Sequence, residues 1–119
     1  MSEKSKNKTL KAFFYCSESG SEPVKEVLLK LDKADRRIVG TDVKDVEFAW
    51  PIGMPLCRKI ANLWEVRSNL PKGRIFRILF GVDGQIMVLL HGFMKKSQST
   101  PKKEIDTATA RWKDYLKRK

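Results

Sequence analysis

The sequence predicts an α+β domain: a mainly antiparallel sheet packed by an N-terminal helical hairpin and a C-terminal helix, in the order β-α-α-β-β-β-α. Three observations carry that expectation. Asp83-Gly84 separates two apolar runs, a strong short-range hairpin signal because both turn residues tolerate positive φ. Val24, Val27, Leu28 and Leu31 recur at helical spacing early in the chain. Ile105, Ala108, Trp112 and Tyr115 do the same near its end.

Taken in order, Leu10, Ala12, Phe14 and Cys16 alternate with Lys11, Phe13 and Tyr15, which suits a first strand with one buried face. Residues 17–21 form a loop. Pro23 then opens a helix, because proline is favoured in the first helical turn. After a break at 32–34, Asp35 is the expected cap of a second helix carrying Val39, Val43, Val46 and Trp50, with Gly40 a weak point inside it. Two prolines and a glycine mark 51–59 as a loop. Residues 63–68 alternate as a strand, Trp64 and Val66 facing inward and Glu65 and Arg67 sharing the other face. A turn at 69–73 leads to the hairpin. Its second run, 86–90, is almost wholly apolar and therefore reads as a central strand covered on both faces. Thr100 is the expected cap of a last helix opened by Pro101, with Lys102, Lys103, Arg111 and Lys117 on its polar side.

At 119 residues the chain is one domain, expected over 10–119 behind a flexible basic segment at 1–9. No apolar run approaches the ~20 residues needed to cross a bilayer. The stretch Phe13-Phe14-Tyr15 is too short for a signal-peptide core, so a cytoplasmic protein without a membrane partner is expected. Cys16 and Cys57 fit that compartment as reduced, buried thiols. One histidine and two distant cysteines make no metal-ligand pattern, and nothing calls for a cofactor.

The net charge of +11 is unevenly placed. Residues 58–77 hold six cations against one anion, and residues 95–119 hold nine against three. The remainder balances at ten each, so the whole excess flanks the central strand. A polyanion is the natural partner of such segments, since neutralised phosphates release counterions. A merely solubilising surface is the bland alternative, and segregation of the charge argues against it.

If the polyanion is RNA, self-cleavage through a 2′-hydroxyl needs a base, cations around the phosphorane and a proton donor. Arg67, Arg77, Lys95 and Lys96 are the candidates for stabilisation and proton transfer: arginine forks phosphate oxygens, and a lysine crowded by cations deprotonates more easily. Arg58, Lys59, Arg74, Lys102 and Lys103 are candidates for holding the RNA backbone. With Asp83 and Gly84 as the two turn residues, Arg77 pairs with Leu90, and Gly92 on that side leaves an open floor. Arg67 joins Arg77 there if the neighbouring strand pairs odd positions with odd. His91 reads first as a hydrogen-bonded core histidine and second as a general base. Glu65 reads as an ion-pair partner of an arginine. Trp50, Trp64 and Trp112 lie on apolar stripes and read as core. A basic surface that only binds nucleic acid contains the same residues.

Leu90-His91-Gly92-Phe93, Lys95-Lys96, Thr100-Pro101 and Glu104-Ile105 with Ala108 resemble the HigB-like branch of the RelE superfamily, the phage-derived Gp49-like proteins. Leu63-Trp64-Glu65-Val66-Arg67 and the strand from Arg74 to Phe80 are similar to that family's second and third strands, so the resemblance spans roughly 10–116. It implies a toxin of a type II toxin–antitoxin pair, a metal-independent endoribonuclease that enters the ribosomal A site and cuts mRNA. It also implies an antitoxin partner with a helix-turn-helix DNA-binding domain. By the same resemblance Arg77 stands at the scissile phosphate, Arg67 on the preceding strand and Lys95-Lys96 at the end of the last one. Two departures stand out: Glu65 occupies a place where several relatives carry a basic residue, and no tyrosine lies between Ser97 and Lys103. The general acid and base stay unassigned, and a non-catalytic RNA- or DNA-binding accessory protein is the alternative.

Overall fold

The computed structural model describes residues 7–53, 55–95 and 99–119, the side chain of Lys95 excepted. Residues 1–6 of the expected N-terminal segment and the site candidate Lys96 lie outside the described residues. The elements are β1 (Lys11–Phe14), α1 (Pro23–Lys30), α2 (Lys33–Ala49), β2 (Cys57–Ile60), β3 (Leu63–Asn69), β4 (Ile75–Asp83), β5 (Ile86–Lys95) and α3 (Lys102–Arg118). They build the expected α+β architecture, with one strand more than the sequence indicated. Cys57–Ile60 pairs antiparallel with β3, so this part of 51–59 is an edge strand and not a loop.

The sheet runs β1-β5-β4-β3-β2, with β1 parallel to β5 and every other pair antiparallel. β5 therefore has strands on both sides and helices over both faces, which explains its unbroken apolar run. On one face α1 and α2 bury Val24, Val39 and Val46 against Val66, Phe76, Ile78, Phe80, Met87 and Leu89. Trp50 and Trp64 pack into that core, meeting edge to face with ring centroids 4.8 Å apart. On the other face α3 sets Ala108, Trp112 and Tyr115 on Leu63, Leu79, Val88, Leu90 and Phe93.

α2 is capped by Asp32, whose side chain accepts the backbone N–H of Asp35 at 3.0 Å. Asp35, the expected cap, lies within the first turn instead. Its carboxylate accepts both ends of the Arg74 guanidinium, at 2.6 and 3.1 Å, which ties the helix to the start of β4. α3 is clasped near its C-terminus. Tyr15 Oη donates to Asp114 at 2.6 Å, Tyr115 Oη donates to Asp83 at 2.8 Å, and Arg118 donates to the Cys16 carbonyl at 2.6 Å. Near the N-terminus Lys8 pairs with Glu47, and the Thr9 and Leu10 amides donate to the Glu47 carbonyl.

The β4–β5 register differs from the expected one for two physical reasons. The two turn residues are Gly84 and Gln85, because Asp83 and Ile86 already pair. Glycine at the first turn position, at φ +62°, fits the type II′ hairpin. A bulge between Leu79 and Phe80 then shifts the ladder, so that Phe80 pairs with Leu89 but Leu79 pairs with His91. The extra residue, Leu90, packs into the α3 core, and its neighbour His91 also reaches side chains of α3. Arg77 consequently pairs with Phe93 and not with Leu90. Gly92 pairs with Ile78 on the opposite face, where an added Cβ would stand 3.0 Å from the Phe76 ring. The open floor expected beside Arg77 is absent.

Candidate functional site

β2, β3 and β4 carry three arginines to the α3 side of the sheet. Register does this directly: Arg58 lies opposite Glu65, and Arg67 lies opposite Arg77, odd with odd. Directly opposed residues of an antiparallel pair share a face. Glu65 and Arg67 share it too, two positions apart on β3.

At the centre is the Glu65 carboxylate, fully buried. Arg58 Nε donates to Glu65 Oε1 at 3.1 Å, and Arg77 Nη1 stands 3.7 Å from Glu65 Oε2. Thr100, just before α3, closes the cluster. Its hydroxyl donates to Glu65 Oε2 and accepts from Arg77 Nη1 at 3.1 Å and from Arg58 Nη2 at 3.4 Å. One donor and two lone pairs are all that a threonine hydroxyl possesses. Thr100 therefore has nothing left for a helix cap, and α3 indeed starts behind Pro101 without a side-chain cap. Arg77 is itself fully buried. Burial pushes its guanidinium below the ordinary arginine range, Glu65 opposes that shift, and Arg67 and Arg58 add to it.

The other candidates divide. The Arg58 side chain is 31% exposed and forms the solvent edge of the cluster. A cleft of about 220 Å³ opens beside Arg67, between Ile38, Asp42, Pro55, Leu56 and Asn69. Lys59 lies over the Trp64 ring, 5.6 Å from its centroid, on the other side of β2. Lys102 and Lys103 are exposed at the start of α3, Lys102 pairing with Asp106 at 2.9 Å. Lys95 ends β5 with its backbone opposite Ile75. Arg74 is committed to Asp35 and stands apart from the cluster.

His91 behaves as a bridging histidine. Arg111 Nη1 donates to its Nδ1 at 3.2 Å and to the Leu90 carbonyl at 2.9 Å, which leaves the ring proton on Nε2 facing Glu104 Oε1 at 2.5 Å. Arg111 is thereby held inside, not presented to solvent as its place on the polar stripe suggested. Cys57 is buried, its thiol pushed up to about 11 by burial and by Glu65, whereas Cys16 is exposed against expectation. Larger clefts of about 390 and 450 Å³ flank the edge strand β1, lined chiefly by apolar residues and by none of Arg58, Arg67 and Arg77. Among the described residues no three of His, Cys, Asp and Glu are grouped to hold a metal ion, and no helix is long and apolar enough to cross a membrane.

Sequence reasoning missed Thr100 as a member of this cluster. A threonine before Pro-Lys-Lys-Glu reads as a cap from local sequence, and only the tertiary placement of β3 and β4 shows its other use. A family model described as phage derived protein Gp49-like matches residues 26–113. No curated protein matches the chain.

Proposed function

The chain belongs to the phage-derived Gp49-like family, which is the HigB/RelE-like toxin family, and from that premise we propose that it is an RNA-cleaving toxin of a type II toxin–antitoxin pair. Its substrate is mRNA in the ribosomal A site, and its neutralising partner is an antitoxin with a helix-turn-helix domain. The observation that carries the reading is the meeting of Arg58 and Arg77 at the buried Glu65 carboxylate, with Arg67 opposite Arg77 on the same side of the sheet.

In this reading the exposed Lys102 and Lys103 meet the RNA first. With the half-buried Arg58 and Arg67 they neutralise backbone phosphates and release counterions. The 2′-hydroxyl gives up its proton, its oxygen attacks the adjacent phosphorus, and the 5′-oxygen leaves with a proton delivered to it. The products are a 2′,3′-cyclic phosphate and a free 5′-hydroxyl. Guanidinium groups, Arg77 among them, stabilise the charge that develops on the phosphorane oxygens. The Lys95-Lys96 pair transfers the protons, since neighbouring cations make a lysine easier to deprotonate.

One observation favours a second reading, an RNA-binding protein that does not cut: the fully buried Arg77 touches no solvent. Induction in growing bacteria separates the two. The nuclease arrests growth and shortens translated messages, and Arg77→Lys with Lys96→Ala relieves both effects at unchanged protein level. Intact messages alongside salt-sensitive RNA binding would instead establish the binder.

A further inference from the structure

The Glu65 carboxylate sits where arginines from two other strands and a hydroxyl from a third segment all point. Arg58 Nε approaches one oxygen at 3.1 Å, while Thr100 Oγ1 and Arg77 Nη1 approach the other. A carboxylate held between two guanidinium groups, one hydrogen-bonded to it and one 3.7 Å away, fills a place that a phosphate oxygen could also take. Opposed arginines at 67 and 77 make a cross-strand pair of like charge, an arrangement that is costly unless an anion lies nearby. For Arg77, Glu65 is that anion. Two features give this seat a way to open. Arg58 reaches it from the solvent side, and Thr100 lies outside the sheet just ahead of α3, so its hydroxyl acts as a latch.

We propose that Arg58 and Arg77 form a phosphodiester-binding seat that Glu65 occupies as an internal counter-anion, latched there by the Thr100 hydroxyl, so that an RNA phosphate enters only by displacing the Glu65 carboxylate. Identifying the anion as an RNA phosphate rests on the RNA-cleaving reading above; the seat itself rests on the Glu65 contacts. The displaced carboxylate leaves the cluster uncovered only while RNA is bound, which keeps the arginines closed to adventitious anions at other times. Thr100 is thus a positioning residue: its hydroxyl meets Glu65, Arg58 and Arg77 at once and releases them together.

The test uses the full chain and its Glu65→Gln variant, which keeps the side chain's shape and removes its charge. Two probes are titrated: a single-stranded oligouridylate, followed by fluorescence anisotropy across a salt series, and inorganic pyrophosphate, followed by melting temperature. The variant should bind the oligonucleotide about tenfold tighter and with a steeper salt slope. Pyrophosphate should also raise its melting temperature by more than it raises that of the wild type. Folded Glu65→Gln protein that matches the wild type with both probes would overturn the seat. A pyrophosphate difference without RNA binding by either protein keeps the seat and removes the RNA reading. RNA binding by both proteins without either difference removes the seat and keeps the RNA reading. If Glu65→Gln fails to fold, Thr100→Ala replaces it, with the same gain expected because the latch on the carboxylate is lost; a folded Thr100→Ala protein indistinguishable from wild type overturns the proposal.

Discussion

Arg67 and Arg77 stand directly opposite each other on adjacent antiparallel strands, a pairing of like charges on the face that α3 covers. Such pairs destabilise a ladder unless something compensates. Here Glu65, two residues from Arg67 on β3, supplies an opposite charge to Arg77 from within the protein, and its carboxylate also meets Arg58 and Thr100. The stability of this part of the sheet and its affinity for anions are therefore set by the same side chains.

That coupling makes the stability of Arg77 variants a direct readout. Arg77→Met leaves Glu65 buried with one partner fewer, and removing one member of a buried pair costs about 3–5 kcal/mol. Urea titration should show that loss. The double variant Glu65→Leu/Arg77→Met removes both charges and should lose much less than the two single variants added together, the sign of an energetically coupled pair.

Arg74 separates structural from RNA-binding cations. Its guanidinium is forked onto Asp35, and that hydrogen bond raises it above the ordinary arginine range. Arg74→Ala should lower the melting temperature by unpinning α2 from β4. RNA affinity in the anisotropy assay should stay within about twofold, in contrast to Arg67→Ala.

Gly81 lets the Trp112 ring of α3 approach the sheet closely. A Cβ there would stand 2.5 Å from the Trp112 ring, so the indole lies against bare backbone. Gly81→Ala should destabilise the fold by about 1–3 kcal/mol through overpacking. Trp112→Leu should restore part of that loss, as measured by chemical denaturation of the single and double variants.

The clasp on α3 gives the stability a two-sided pH dependence. Asp83 is held below its ordinary value by hydrogen bonds from Lys119 and Tyr115, and Asp114 by those from Arg118 and Tyr15. A depressed carboxyl contributes stability above its unfolded value, about 3.9, which is lost as pH falls through the folded value. Tyr15 and Tyr115 are raised by burial and then by their aspartate partners. Their contribution is present below about pH 10 and is lost as pH rises through their folded values. Melting temperature should fall on both sides of this window, the buried Cys57 thiol, pushed up to about 11, adding to the alkaline fall. Asp83→Asn/Asp114→Asn should flatten the acid limb, and Tyr15→Phe/Tyr115→Phe the alkaline one.

Much of this fold is legible in the sequence where one period dominates. The stripes of α1, α2 and α3 and the unbroken apolar run of β5 are visible because burial repeats along them. β2 is invisible because four residues, two of them cationic, follow a proline- and glycine-marked stretch, and only pairing with β3 makes them a strand. The hairpin is legible but its register is not. One displaced turn residue and one bulge together move Arg77 from Leu90 to Phe93, and local sequence encodes neither shift. The site fared likewise. The charge segregation and the Glu65–arginine pairing could be read, whereas Asp32 and Asp35 were equally good caps by type, and Thr100 was a better cap by type than by placement.

The most direct test of the arginine cluster as an RNA-cleaving surface is primer extension on a message carried by translating ribosomes, with purified protein added. The wild type should yield discrete new 5′ ends within the translated region. Arg58→Gln/Arg67→Gln, shown by circular dichroism to be folded at the assay temperature, should cut on the order of a hundredfold more slowly. Messages left whole by the wild type, or cut at the same rate by that double variant, would contradict the account.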